Sequence, residues 1–156
     1  MADMNSISHS VINVDDLHEA KKFYCDVLGG DRRSAVCFET EDTLRGRSVH
    51  ETYTVHDFVF FVALAERELP KPPTDQHRGL NGFRNAFFVT RDEFEKTMKS
   101  LEEHGIGFDG PVDHPEKGPL GQSIYFKDPA GNFLECAWRR DEGTEAFTKP
   151  NFLGIG

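Results

Sequence analysis

The chain has 156 residues, 37% apolar and 29% charged, which suits one globular domain and is too apolar for a disordered chain. Eighteen Lys and Arg stand against 27 Asp and Glu, for a net charge of −9. That balance argues against nucleic acid or an anionic membrane as a partner, because phosphate binding needs a local excess of cation. No apolar run is long enough to cross a bilayer, and the opening MADMNSISHSVINVDD lacks the basic-then-apolar pattern of a secretion signal. Cys25, Cys37 and Cys136 show no CxxC spacing, so free thiols and a cytoplasmic location are expected.

Residues 9–14, HSVINV, alternate as a strand, with His9, Val11 and Asn13 on one face. Asp16 then caps a helix, with Glu19 placed to complete a capping box. Leu17, Ala20, Phe23, Tyr24, Val27 and Leu28 recur at helical spacing, and Gly29 and Gly30 stop the helix. Three strand-like runs follow: SAVCFET, GRSVHETYTV and DFVFFVAL. Residues 66–82, rich in proline and charge, read as a linker.

The pattern then repeats. FRNAFFVT, residues 83–90, is a strand, and RDEFEKTMKSLEEHGIGF carries Phe94, Met98 and Leu101 as a helical stripe ending near Gly105. Strands follow over Ile106–Val112, SIYF and NFLECAW, so each half is β-α-β-β-β. Residues 139–156 form a tail with isolated apolar anchors, able to pack on the body, cover an opening or reach a partner subunit. Module one spans about 7–65 and module two about 83–138, within one domain of 1–156.

The most specific string is GQSIYFKDPAGNFLEC, residues 121–136. DPAG is a tight turn, with Pro129 fixing φ and Gly131 permitting positive φ. In the strand after it, Leu134, Cys136 and Trp138 suit packing on a helix. Glu135 then falls on the opposite, concave face among apolar neighbours, where a carboxylate must be paired, metal-bound or hydrated. Tyr125 shares a face with Ser123 and offers a polar contact. Among the 14 Phe, Phe88 and Phe133 are candidates to line that face, favouring an aromatic or otherwise apolar ligand. Alternation leaves open whether Arg84 or Asn85 points inward, because Phe87 and Phe88 are both apolar. His18, His50, His104 and His114 read as surface residues.

HSVINVDDLHEAKKFYCDVLGG, IYFKDPAGNFLE and the repeat together resemble the vicinal oxygen chelate superfamily over about residues 7–138. Its members include glyoxalase I, extradiol dioxygenases, fosfomycin-resistance enzymes and bleomycin-binding proteins. The resemblance implies an α+β fold of two βαβββ modules forming a cup-shaped, partly closed mixed sheet with helices outside, in a homodimer. It also implies a divalent metal in the cup, Fe or Mn before Zn, held by His9 and Glu135. The second-module histidine of the family pattern is here Arg84, a departure that weakens and repels a metal. His77, or His56, is then the candidate third ligand.

One expectation is therefore an enzyme of the dioxygenase or lyase kind, with Glu135 and Arg84 catalytic. Its small, oxygen-chelating substrate would lie against Arg84, Tyr125, Phe88 and Phe133. The alternative is a metal-free binder of the bleomycin-resistance kind. A third reading uses His9 and Glu135 as a metal-free acid–base pair.

Overall fold

The computed structural model describes residues 10–36, 50–55, 58–65, 68–78, 83–113 and 120–139. His9, Cys37, His56, His114 and the tail beyond Arg139 lie outside them. The chain divides into two compact units, Met1–Lys71 with Asp128–Gly131, and Pro72–Lys127 with Asn132–Gly156. No helix of the described residues is long and apolar enough to cross a membrane.

In the first unit β1 (Ser10–Val14) leads into α1 (Leu17–Lys21), then β2 (Asp31–Val36), β3 (His50–Val55) and β4 (Phe58–Leu64). The sheet order is β1-β4-β3-β2, with β1 parallel to β4 and the other pairs antiparallel. Asp16 caps α1 as expected, its Oδ1 accepting from the His18 and Glu19 amides at 2.8 and 3.1 Å. The expected capping box is only half made, because the Glu19 carboxylate instead takes Lys22 Nζ at 2.8 Å. The regular helix expected through Leu28 is also corrected. After Lys21 the chain widens into a π-helical stretch, Lys22–Val27, and the Leu28 amide reaches back five residues to the Phe23 carbonyl.

Together α1 and the widened turn face Ala20, Phe23, Tyr24 and Val27 into the core, opposite Ile12, Val14, Tyr53, Phe60 and Val62, all buried. The Tyr24 ring meets Phe23 edge-on at 5.1 Å and lies 5.8 Å from Tyr53 and 5.6 Å from Phe60. Its hydroxyl donates to Asp128 Oδ2 at 2.9 Å. Alternation along β3 puts Glu51 on the same apolar side as Tyr53, opposite Val62 of β4. The buried Glu51 carboxylate there accepts from the Tyr53 hydroxyl and from Arg32 Nη2, the latter at 2.6 Å. His50, expected at the surface, points to the other face and is half-buried, with its ring 5.4 Å from Phe61.

Where the helix ends, Gly29 takes φ +69° and Gly30 passes close to two backbone carbonyls. A Cβ on Gly30 would lie 2.6 Å from the Tyr24 carbonyl oxygen and 3.0 Å from that of Thr54. Neither backbone atom can step aside without moving its element. Gly30→Ala is therefore expected to cost about 2 kcal/mol, read as a lowered urea midpoint at unchanged slope.

The second unit repeats the plan with β5 (Arg84–Val89), α2 (Arg91–Glu103), β6 (Phe108–Asp113), β7 (Leu120–Lys127) and β8 (Phe133–Arg139). Its order is β5-β8-β7-β6, with β5 parallel to β8. The α+β, two-module reading stands: among the described residues each unit is a mixed four-stranded sheet with one helical segment. Thr90 and Glu93 form a complete capping box at α2, one that the sequence reading does not single out. Phe94 and Leu101 of α2 are buried together with Phe87, Val89, Leu134 and Cys136. A bulge between Asp109 and Val112, around a cis Gly110–Pro111 peptide, interrupts β6.

Candidate functional site

The face of the second sheet opposite α2 collects the residues singled out by sequence. Strand pairing sets Arg84 beside Phe133 and Ala86 beside Glu135 across β5 and β8, and Glu135 beside Tyr125 across β8 and β7. Paired residues in neighbouring strands point to the same side. Arg84, Tyr125, Phe133 and Glu135 therefore share one face. Asn85 falls with Phe87 and Val89 on the helix side, which resolves the register that alternation leaves open.

Glu135 is only 8% exposed, and isolated charge at that depth is costly. Its Oε2 lies 2.9 Å from Arg84 Nε, a charge-assisted contact, while Arg84 keeps 30% of its side chain in water. The Arg84 guanidinium also stands 4.8 Å from the centre of the Tyr125 ring, within cation–π range. Tyr125 is itself buried.

A second guanidinium meets the same ring. Arg78 lies 4.6 Å from the Tyr125 centroid and belongs to the segment 72–78, which lies over this face. Lys127 Nζ ties that segment down by donating to the Pro73 carbonyl at 2.6 Å, and the His77 ring packs on Gly107, whose Cβ would sit 2.9 Å from it. His77 Nδ1 is buried with no hydrogen-bond partner among the described residues. Gly107 precedes β6, so His77 sits two strands across the sheet from the strand of Glu135. The linker thus supplies Arg78, a residue the sequence reading misses. A proline-rich, charged stretch has no strand or helix period from which a facing could be read.

Phe88 occupies the same face, four residues along β5 from Arg84, and is 51% exposed. Phe133 is half-buried beside Arg84. On the opposite face the thiol of Cys136 is pushed up to about 12 by burial. Trp138 lies on that side as expected, its Nε1 donating to Gln122 Oε1 at 3.3 Å and Arg91 standing 5.4 Å from its ring.

Chemically, the face offers permanent positive charge, a buried aromatic plane and one carboxylate already matched to a cation. The described residues do not suit a divalent metal: no three His, Cys, Asp or Glu among them converge. Glu135 already faces a guanidinium, which cannot be deprotonated in a protein and repels a nearby dication.

The sequence pattern of the Glyoxalase/Bleomycin resistance protein/Dioxygenase superfamily matches residues 6–136. No curated protein matches the chain in sequence. A glyoxylase/bleomycin resistance protein/dioxygenase domain from Frankia sp. EAN1pec superposes with a TM-score of 0.70 at 15% identity, covering 94% of this chain and 100% of that one. The fosfomycin resistance protein FosX from Mesorhizobium loti gives 0.62 at 18% identity, covering 94% and 99%. A variant of FosX from Listeria monocytogenes, complexed with Mn(II) and 1S,2S-dihydroxypropylphosphonic acid, gives 0.64 at 17% identity, covering 89% and 96%. At such identities the likeness establishes the fold alone, but the matched pattern spans most of the sequence. The chain belongs to the glyoxalase/bleomycin resistance protein/dioxygenase superfamily.

Proposed function

We propose that this chain binds a small organic molecule, without a metal ion, on the face of the second sheet that carries Arg84, Tyr125 and Glu135. The observation that carries this reading is the Arg84–Glu135 ion pair at 2.9 Å. The resemblance places a metal ligand at each of these two positions, and here the arginine supplies the positive charge itself. Its guanidinium is held by Glu135 on one side and by the Tyr125 ring on another, so little freedom is lost when a ligand arrives. Phe133 and Tyr125 offer the apolar surface that most small-molecule sites present. We take the protein to act as a homodimer in the cytoplasm, with sedimentation as the check on its assembly.

Metal analysis of protein purified without chelator tests the reading. The expected result is Fe, Mn and Zn far below one equivalent, with no saturable heat on titration of Mn(II). One equivalent of any of these ions, lost in Glu135→Gln, would overturn it. The Mn(II) in the FosX complex favours a second reading, a metal-dependent dioxygenase or lyase with His9, Glu135 and His77 as ligands and Arg84 beside them. The same measurement decides between the two.

A further inference from the structure

We infer that the ligand of this face carries a single carboxylate, and that Arg78 is the residue that selects it. The inference rests on the reading above and deepens it. Along this face, Arg78, Arg84 and Lys127 stand against Asp109, which pairs with Tyr125 across β6 and β7, and Glu135. With Asp75 of the same segment as Arg78, the described charges balance, three against three, in a chain whose overall charge is −9, so what matters is which cation is left unmatched.

The unmatched cation is Arg78. Arg84 is matched by Glu135, and Lys127 is anchored on the Pro73 carbonyl. Arg78 has no acidic partner among the described residues; what it has is the Tyr125 ring at 4.6 Å. A guanidinium resting on an aromatic ring keeps its N–H edge free, and that edge matches the two oxygens of a carboxylate in a forked pair. The anchor at Pro73 and the packing of His77 on Gly107 fix the segment that leads into Arg78. Arg78 is thus held in place before any ligand binds. One unmatched charge suits a monoanion, because a dianion on so buried a surface would bring a second charge with no counterpart.

Benzoate and its uncharged isostere benzamide test this by isothermal titration against wild type, Arg78→Gln and Arg78→Lys. Wild type is expected to bind benzoate roughly tenfold or more tightly than benzamide. Arg78→Gln is expected to erase that preference while melting at the wild-type temperature, and Arg78→Lys to retain most of it because charge makes the discrimination. Equal affinity for the two compounds, no binding of either up to its solubility limit, or a preference that survives Arg78→Gln would each overturn the inference. The two proposals fail separately. A stoichiometric metal in a protein that still selects benzoate through Arg78 sinks the metal-free reading alone. A metal-free protein indifferent to the charge sinks only the carboxylate assignment.

Discussion

Replacing Arg84 with methionine is expected to destabilise the chain by about 3 kcal/mol, measured by urea denaturation. The loss arises from what is left behind more than from the contact removed. Glu135 stays at 8% exposure with its guanidinium gone, and a buried carboxylate robbed of its partner carries its desolvation uncompensated. Arg84 is 30% exposed, which places the effect at the lower end of the range for buried pairs. A further few tenths come from the lost contact with Tyr125. Glu135→Leu alone is expected to cost only about 1 kcal/mol, because the freed guanidinium can turn toward water. The double variant Arg84→Met/Glu135→Leu should recover most of the single loss, since a paired ion and a packed apolar pair are often of similar stability. A single-variant cost under about 0.5 kcal/mol would mean that water already solvates this pair.

Alkaline lability is the second large effect. Burial raises Cys136 from its ordinary 9.0 to about 12. Burial also raises Tyr24 and Tyr53 above their ordinary 10.0, helped by the carboxylates of Asp128 and Glu51 that receive their hydroxyl protons. In all three cases the unfolded chain releases its proton first. The folded form therefore holds more protons over this window, and stability falls as pH rises. The contribution is complete below pH 9, starts to fall when the unfolded thiol titrates, and falls faster above pH 10 when the tyrosines join. Each group adds up to about 1.4 kcal/mol per pH unit, so the combined slope approaches about 4 kcal/mol per unit. Urea midpoints taken from about pH 8 to about pH 11 should show this fall. Cys136→Ala should remove its first part and leave the second. A flat profile would contradict the burial of these three groups.

Much of the fold is legible in the sequence because alternation and helical spacing are local. The strands β1, β4, β5 and β8 and both helical starts follow from them. So does the placement of Glu135 opposite Leu134 and Cys136. Ends are read less well: β2 starts at Asp31, three residues before the expected Ser34. The site is only partly legible, for a physical reason. Arg84 and Asn85 cannot be told apart by period when Phe87 and Phe88 follow; pairing with a strand about fifty residues later decides the matter. Arg78 owes its position to a lysine and a glycine far along the chain. Glu51 is tolerated among apolar side chains because Arg32 and the Tyr53 hydroxyl meet it there. Apolar periodicity carries no trace of such partners.

The wide turn at Lys22–Val27 bears on how this chain can change length. A π-helical turn holds one residue more than an α-helical one. Deleting one residue there lets the backbone relax into ordinary helix while the turns before and after keep their facing, because the widened turn is what absorbs the extra residue. A second deletion would find no such reserve: everything after it would rotate by about 100°, and Gly30 would lose its fit between two carbonyls. A one-residue gap at this point should therefore be better tolerated among related sequences than one in the regular helix before it. Alignments that open a single gap inside this turn would be joining chains whose β2 strands still correspond.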